Sequence, residues 1–197
     1  MRGSGSAAVH PVHAWPGVLP APADGLIVIR VETSTTRDLA RQQIRLALRQ
    51  LLGQLLALPL AAIGLDWEKG QAPRITLHAS DAASNVGISI SHEPGMALAA
   101  IHLHGAVGVD LMRLQDVPDW KMVARDYLGA AITAALAGMP PEQRARAFAR
   151  AWTAQEASLK CRGLPLSEWV APTLPAPCRR FELALPDELI GTLAIPA

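Results

Sequence analysis

Hydrophobic periodicity divides the chain into segments of two kinds. LIVIRVE, Leu26 to Glu32, is a β-branched run that reads as a first strand. The cap-like STT follows, and then TRDLARQQIRLALRQLLGQLLALP sets Ala40, Ile44, Ala47, Leu48, Leu51, Leu55 and Leu58 at a 3.6-residue period. That spacing predicts a long amphipathic helix with one buried stripe. On another face Arg37, Arg41, Arg45 and Arg49 recur every fourth residue, with only Asp38 among them to offset their repulsion. Such a face is either solvated or meets an anion.

After the loop DWEKGQAPR the period changes to two. NVGISIS, GMALAAIHL and AVGVDLM alternate as strands and read as an antiparallel set, with EPG turning the first pair and HGA able to close the second. From about Val117 to Gly138 the chain is alanine-rich and helical in character. MPPEQ restarts a helix with Pro140 or Pro141 in its first turn, and that helix runs to about Arg162, where Gly163 stops it. FELALP and LIGTLAIP then give two strands joined by PDE. Strand, long helix and strands thus occur twice, which predicts an α+β fold of two similar α/β halves, residues 26–105 and 106–197, joined near His104 to Ala106.

Composition narrows the partners. With 197 residues and 50% hydrophobic content the chain can bury a large core, and a formal charge of +1 gives no general field for nucleic acid or membrane. Any anion site is therefore local. The apolar stretch Leu46 to Leu65 contains Arg49, Gln50, Gln54 and Pro59, which argues against a bilayer span. Cys161 and Cys178 lack metal-ligand spacing and no secretory leader is evident, so a reduced, cytoplasmic setting is expected. MRGSGS resembles a cloning scar, and the Pro- and Gly-rich stretch after it completes a tail expected to be flexible over residues 1–25.

Three places carry candidate chemistry. Alternation in AVGVDLM sends Val107, Val109 and Leu111 to one face and Gly108, Asp110 and Met112 to the other. A strand aspartate among apolar residues is either exposed or a carboxylate with a partner, such as a hard cation that wants oxygen ligands. SISH ends a strand at Ser91 and His92, just before a turn. In FARAWTAQEASLKCRG, Trp152, Glu156 and Lys160 lie at i, i+4 and i+8, along one side of the helix. An i,i+4 acid–base pair by itself is an ordinary helix stabiliser.

Taken in order, SISH, VGVDL and WTAQEASLK resemble the three-part signature of the 4′-phosphopantetheinyl transferase superfamily. The arginine-bearing helix before them is similar to the N-terminal half of its larger, surfactin-type members, in which two related halves share one chain. The resemblance implies a pseudo-twofold fold, each half a small antiparallel sheet packed on a long helix, and a monomer. It implies that Asp110 and Glu156 hold Mg2+ with the pyrophosphate of coenzyme A, that Lys160, His92 and Ser91 lie at the cofactor, and that Arg37, Arg41 and Arg45 meet its 3′-phosphate. Glu156, directly or through a water, would take the proton from a serine of an acyl or peptidyl carrier protein, whose oxygen then displaces 3′,5′-ADP. The carrier would belong to a polyketide, polyene or peptide pathway, and contact is expected along DWKMVARDYLGAAITAALAGM.

The chain also departs from that pattern. Met112 stands where the larger members carry a second strand acid, Gln155 where the helix motif has lysine, and Gln71 where a loop lysine is common. A thioether is a poor ligand for a hard cation, so two protein carboxylates are expected. The same departures motivate the alternative of a degenerate, non-catalytic member that binds carrier or coenzyme A.

Overall fold

The computed structural model describes residues 9–66, 73–77, 85–170 and 178–197. In chain order the elements are β1 (Val9–His10), β2 (His13–Trp15), β3 (Leu26–Glu32), α1 (Arg37–Leu56), β4 (Ile63–Asp66), β5 (Arg74–Leu77), β6 (Gly87–Glu93), β7 (Met96–His102) and β8 (Gly108–Arg113). A helical block follows: α2 (Trp120–Val123) continues into a wider π turn at Ala124–Leu128, then come α3 (Ala130–Ala137) and α4 (Pro141–Cys161). The strands β9 (Cys178–Leu183) and β10 (Leu189–Pro196) end the chain.

The predicted periods are where the structure has them. β3 spans the same residues as LIVIRVE, and α1 buries Ala40, Ile44, Ala47, Leu48 and Leu51 as the stripe requires. Leu52 completes that stripe, and Leu55 and Leu58 pack only at its margin. α4 opens with Pro141, whose missing N–H costs nothing in a first turn.

Four layers result. One sheet, in the order β2-β3-β7-β6, turns Ile27, Ile29, Val31, Ala97, Ala99 and Ile101 toward α1. Its other face, with Leu26, Val28, Leu98 and Ala100, packs on Val107, Val109, Leu111 and Leu193 of the second sheet, whose order is β1-β9-β10-β8. α4 covers the far side of that second sheet. The alternation read in AVGVDLM therefore decides the layering: its valines and leucine go to the core between sheets, and Gly108 and Asp110 go to the helix side.

Three expectations need correction. β8 does not join β6 and β7 in one antiparallel set: it pairs with β10, Leu111 opposite Gly191 and Asp110 opposite Thr192, so HGA is a crossing between sheets and not a hairpin. Alternation reveals faces but not strand partners. Ordered structure begins well before Leu26, because β1 pairs parallel with β9, β2 pairs parallel with β3, and Trp15 is buried in the α1 core. Strands of two and three residues are too short to display a period. The ribbon β4–β5 likewise lies in a stretch read as loop and its borders. Gln71 and Trp67 fall outside the described residues.

Cys161 and Cys178, distant in sequence, meet at the end of α4. Burial, then the neighbouring Cys178 thiol, pushes the Cys161 thiol up to about 12, and both cysteines are free.

Candidate active site

The two sheets abut along β6 and β8, and both are edge strands there. The outward amides of β8 would be unsatisfied at that seam. Serine side chains replace the missing ladder: Val109 N–H donates to Ser89 Oγ at 2.9 Å and Leu111 N–H to Ser91 Oγ at 3.1 Å. Ser91 Oγ in turn donates to Asp110 Oδ1 at 2.9 Å. The S-x-S spacing of ISIS is the signal that could have pointed to this pair, since alternation puts both hydroxyls on one side of β6.

Lys160 reaches into the same seam from α4. Its Nζ lies 2.6 Å from Asp110 Oδ1, 3.1 Å from Val109 O and 3.5 Å from Ile90 O, so one ammonium ties helix, β8 and β6 together. Asp110 is 6% exposed, and a carboxylate so buried requires this pairing. The approach of α4 depends on Gly108. A β-carbon there would lie 1.9 Å from Ala157 O and 2.5 Å from Cys161 N, both backbone atoms that no rotamer change can move.

Glu156 is half-buried one turn before Lys160. Burial first, then the charge of Asp110, raises its pKa above the usual carboxylate value, while Lys160 opposes that rise. The two acids named from sequence are thus close enough to repel. His92 stands at the end of β6, and desolvation first, then Arg37, Arg41 and Lys160, lowers its pKa, leaving a neutral ring at pH 7. The same cause brings Arg37 and Arg41, at the start of α1, into this neighbourhood.

Two cavities meet here. The larger, about 770 Å³, is walled by Ala40, Arg41, Ile44, Arg74, Ser89 and the segment Gly163–Leu166. The second, about 650 Å³, is walled by Ser91, Asp110, Met112, Val123, Phe148 and Trp152. Ile90, His92, Glu156 and Lys160 border both. Trp152, stacked on Phe148 at 6.0 Å, continues the line of Glu156 and Lys160 into the second cavity.

The structure adds to two sequence assignments. Arg45 lines a separate groove with Gln42, Leu46 and Arg49, because a spacing of four advances 400° around a helix of 100° per residue and drifts away from the face of Arg37. Ser91 was expected at the cofactor, yet its hydroxyl is committed to Asp110 and the Leu111 amide. Gly108 was named only for its face and Gly163 only as a helix stop, and Ser89 and Leu164–Leu166 were given no role; glycine at a close approach leaves no mark in a period.

The raised Glu156 carboxyl gives a stability prediction. A carboxyl whose folded pKa exceeds its unfolded value stabilises below the unfolded value and loses that contribution as pH rises through the folded one. At pH 7 to 8 the ionised group is a cost, so Glu156→Gln should raise the melting temperature of the metal-free protein there. The gain, under about 1 kcal/mol because the group is partly solvated, should shrink as pH falls toward 4. Thermal melts across that range check it.

The comparisons with known proteins reach this same site. Residues 106–190, from before β8 into β10 and so including Asp110, Glu156 and Lys160, match the family model of the 4′-phosphopantetheinyl transferase superfamily. The chain is also similar to the 4′-phosphopantetheinyl transferase HetI of Nostoc sp. (strain PCC 7120), 27% identical over 160 residues that make up 75% of this chain and 67% of that protein. Both are likenesses to 4′-phosphopantetheinyl transferases. Among the described residues, no helix is long and apolar enough to cross a membrane.

Proposed function

We propose that this protein moves 4′-phosphopantetheine from coenzyme A to a serine of an acyl or peptidyl carrier protein, with Mg2+, giving holo-carrier and 3′,5′-ADP. The observation that carries this reading is the meeting of Glu156, Lys160 and His92 at the border of two cavities, with Asp110, bound to Lys160, on the wall of the second. The larger, with Arg41, Arg74 and His92 on its wall, suits the polyanionic nucleotide. The second, apolar toward Val123, Phe148 and Trp152, opens beside the helical block where carrier contact is expected.

The donor set fits a hard divalent cation. Asp110 and Glu156 present carboxylate oxygens that repel each other, and Lys160 offsets that only in part. When bound, Mg2+ supplies charge neutralisation at phosphate oxygens. The chain does the rest. Lys160 and Ser91 hold Asp110 in place. Arg37 and Arg41 attract phosphate charge, and the neutral His92 ring can donate a hydrogen bond to a phosphate oxygen. Glu156, with its raised pKa, accepts the serine proton; the serine oxygen bonds to the β-phosphorus, and the bond from that phosphorus to the bridging oxygen breaks, releasing 3′,5′-ADP.

A two-half, pseudo-twofold architecture belongs to the same reading, with residues 26–105 and 106–197 as its halves. It is supported by strand order: in each sheet the half's last strand lies between its first strand and its middle one, as β3-β7-β6 and β8-β10-β9. A monomer follows if the second half is already in the chain.

The test is to incubate apo-carrier proteins with coenzyme A, Mg2+ and enzyme, and weigh the carriers. The reading expects a gain of one phosphopantetheine that disappears with Glu156→Ala. Carrier binding without any mass gain would favour the non-catalytic alternative, which Met112 and Gln155 motivate. Met112 lines the second cavity with both acids, so Met112→Glu should lower the Mg2+ concentration giving half-maximal rate by about threefold to tenfold. An unchanged Mg2+ titration would remove Met112 from the ion's surroundings.

A further inference from the structure

The segment after α4 has neither helix nor strand over Gly163–Val170, yet its two ends are fastened. At the near end Leu164 N–H donates to Leu159 O at 2.9 Å, continuing the end of α4. At the far end Trp169 N–H donates to Asp126 O at 2.6 Å, in the π turn. The Trp169 indole also lies flush on Gly129. A β-carbon at that glycine would come within 2.6 to 2.9 Å of three indole atoms, and φ of +85° there disfavours any other residue.

Trp169 is not a core residue. It is 41% exposed, and Val170 beyond it is 80% exposed, so the indole's contact with Gly129 serves to hold the segment and does not fill an interior. Between the two fastenings Leu164, Pro165 and Leu166 wall the larger cavity opposite Ala40 and Ile44. Leu164 and Leu166 are 48% and 43% exposed, apolar surface kept open beside the phosphate-binding side chains. Pro165 stiffens the span by fixing its own φ.

We infer that Gly163–Val170 is a strap forming the apolar wall against which coenzyme A packs, and that Trp169, pinned on Gly129, is the positioning residue for that wall. This rests on the transfer reading above. Loosening the pin frees the wall without touching Asp110, Glu156 or Lys160, so the effect should fall on coenzyme A binding and not on the chemical step.

The experiment measures coenzyme A binding by calorimetry and, separately, KM and kcat for coenzyme A at saturating carrier, for the wild type, Trp169→Ala, Trp169→Phe and Leu166→Ser. Trp169→Ala and Leu166→Ser should weaken coenzyme A binding about tenfold and raise its KM alike, with far smaller changes in kcat and in the carrier's KM, and Trp169→Phe should recover most of the loss. Melting temperatures accompany each variant, and Leu166→Ser, remote from the pin, guards against a Trp169→Ala that folds poorly. Unchanged coenzyme A affinity in both variants, or equal losses in kcat and carrier KM, would overturn the strap. A wild type that binds coenzyme A without transferring it would defeat the transfer reading alone, and the strap would then stand or fall on the binding data. No coenzyme A binding by the wild type would overturn both.

Discussion

Gly108→Ala should be among the most damaging single methyl groups that can be added to this protein. Its β-carbon would fall 1.9 Å from Ala157 O and 2.5 Å from Cys161 N, and the backbone of α4 must retreat from β8 to admit it. Overpacking against backbone costs roughly 3 kcal/mol or more, about 6–12 °C in melting temperature for a chain of this size. Retreat of α4 also draws Lys160 away from Asp110, now 2.6 Å apart, and opens the pair of acids. Transfer activity should therefore fall with stability, by on the order of 100-fold. Gly138→Ala, where an added carbon meets only ordinary contacts at 3.7 Å and beyond, is the control and should melt within about 1 °C of the wild type. A Gly108→Ala protein that melts and works like the wild type would mean that α4 does not pack on β8 in the described way.

Asp110→Asn should be the second large effect. The carboxylate balances the Lys160 ammonium and accepts from Ser91, both on Oδ1. Neutralising it leaves Lys160 facing two carbonyls, with the half-buried Glu156 as its remaining nearby counter-charge. Breaking a fully buried pair costs about 3–5 kcal/mol; Lys160 is 30% exposed, so about 2 kcal/mol is expected here. Loss of a proposed cation ligand and of the group that fixes Lys160 should also reduce transfer by on the order of 100-fold or more. Thermal melts and carrier mass measurements on the same preparation separate the two consequences. Normal stability with normal activity would contradict the pairing as well as the role.

Much of this was readable in the chain because buried faces enforce periodicity. The 3.6 pattern of α1, the alternation of β6, β7 and β8, and the one-sided line of Trp152, Glu156 and Lys160 all follow from which side of an element meets a core or a cavity. Asp110 stood out for the same reason: a charge on an otherwise apolar strand needs a partner. What periodicity cannot express is partnership. It left β8 in the wrong sheet, because a strand's faces are the same whichever edge it joins. It kept Arg45 with Arg37, because a spacing of four looks constant in the sequence while the helix turns beneath it. It could not reveal that the Ser91 hydroxyl is bonded to Asp110 and the Leu111 amide, since the seam that uses it exists only after two sheets meet. The strap residue Trp169 carried no signal, being an exposed aromatic in an irregular stretch whose counterpart is a glycine forty residues away.

The account rests on Asp110 and Glu156 serving one divalent ion, and Mn2+ as a paramagnetic substitute tests that most directly. Titrating the protein with Mn2+ in the presence of coenzyme A, and following free ion by electron paramagnetic resonance, should reveal one protein-dependent site that Asp110→Asn and Glu156→Gln each weaken by tenfold or more. Two single variants that hold Mn2+ with the stoichiometry and affinity of the wild type would contradict the claim.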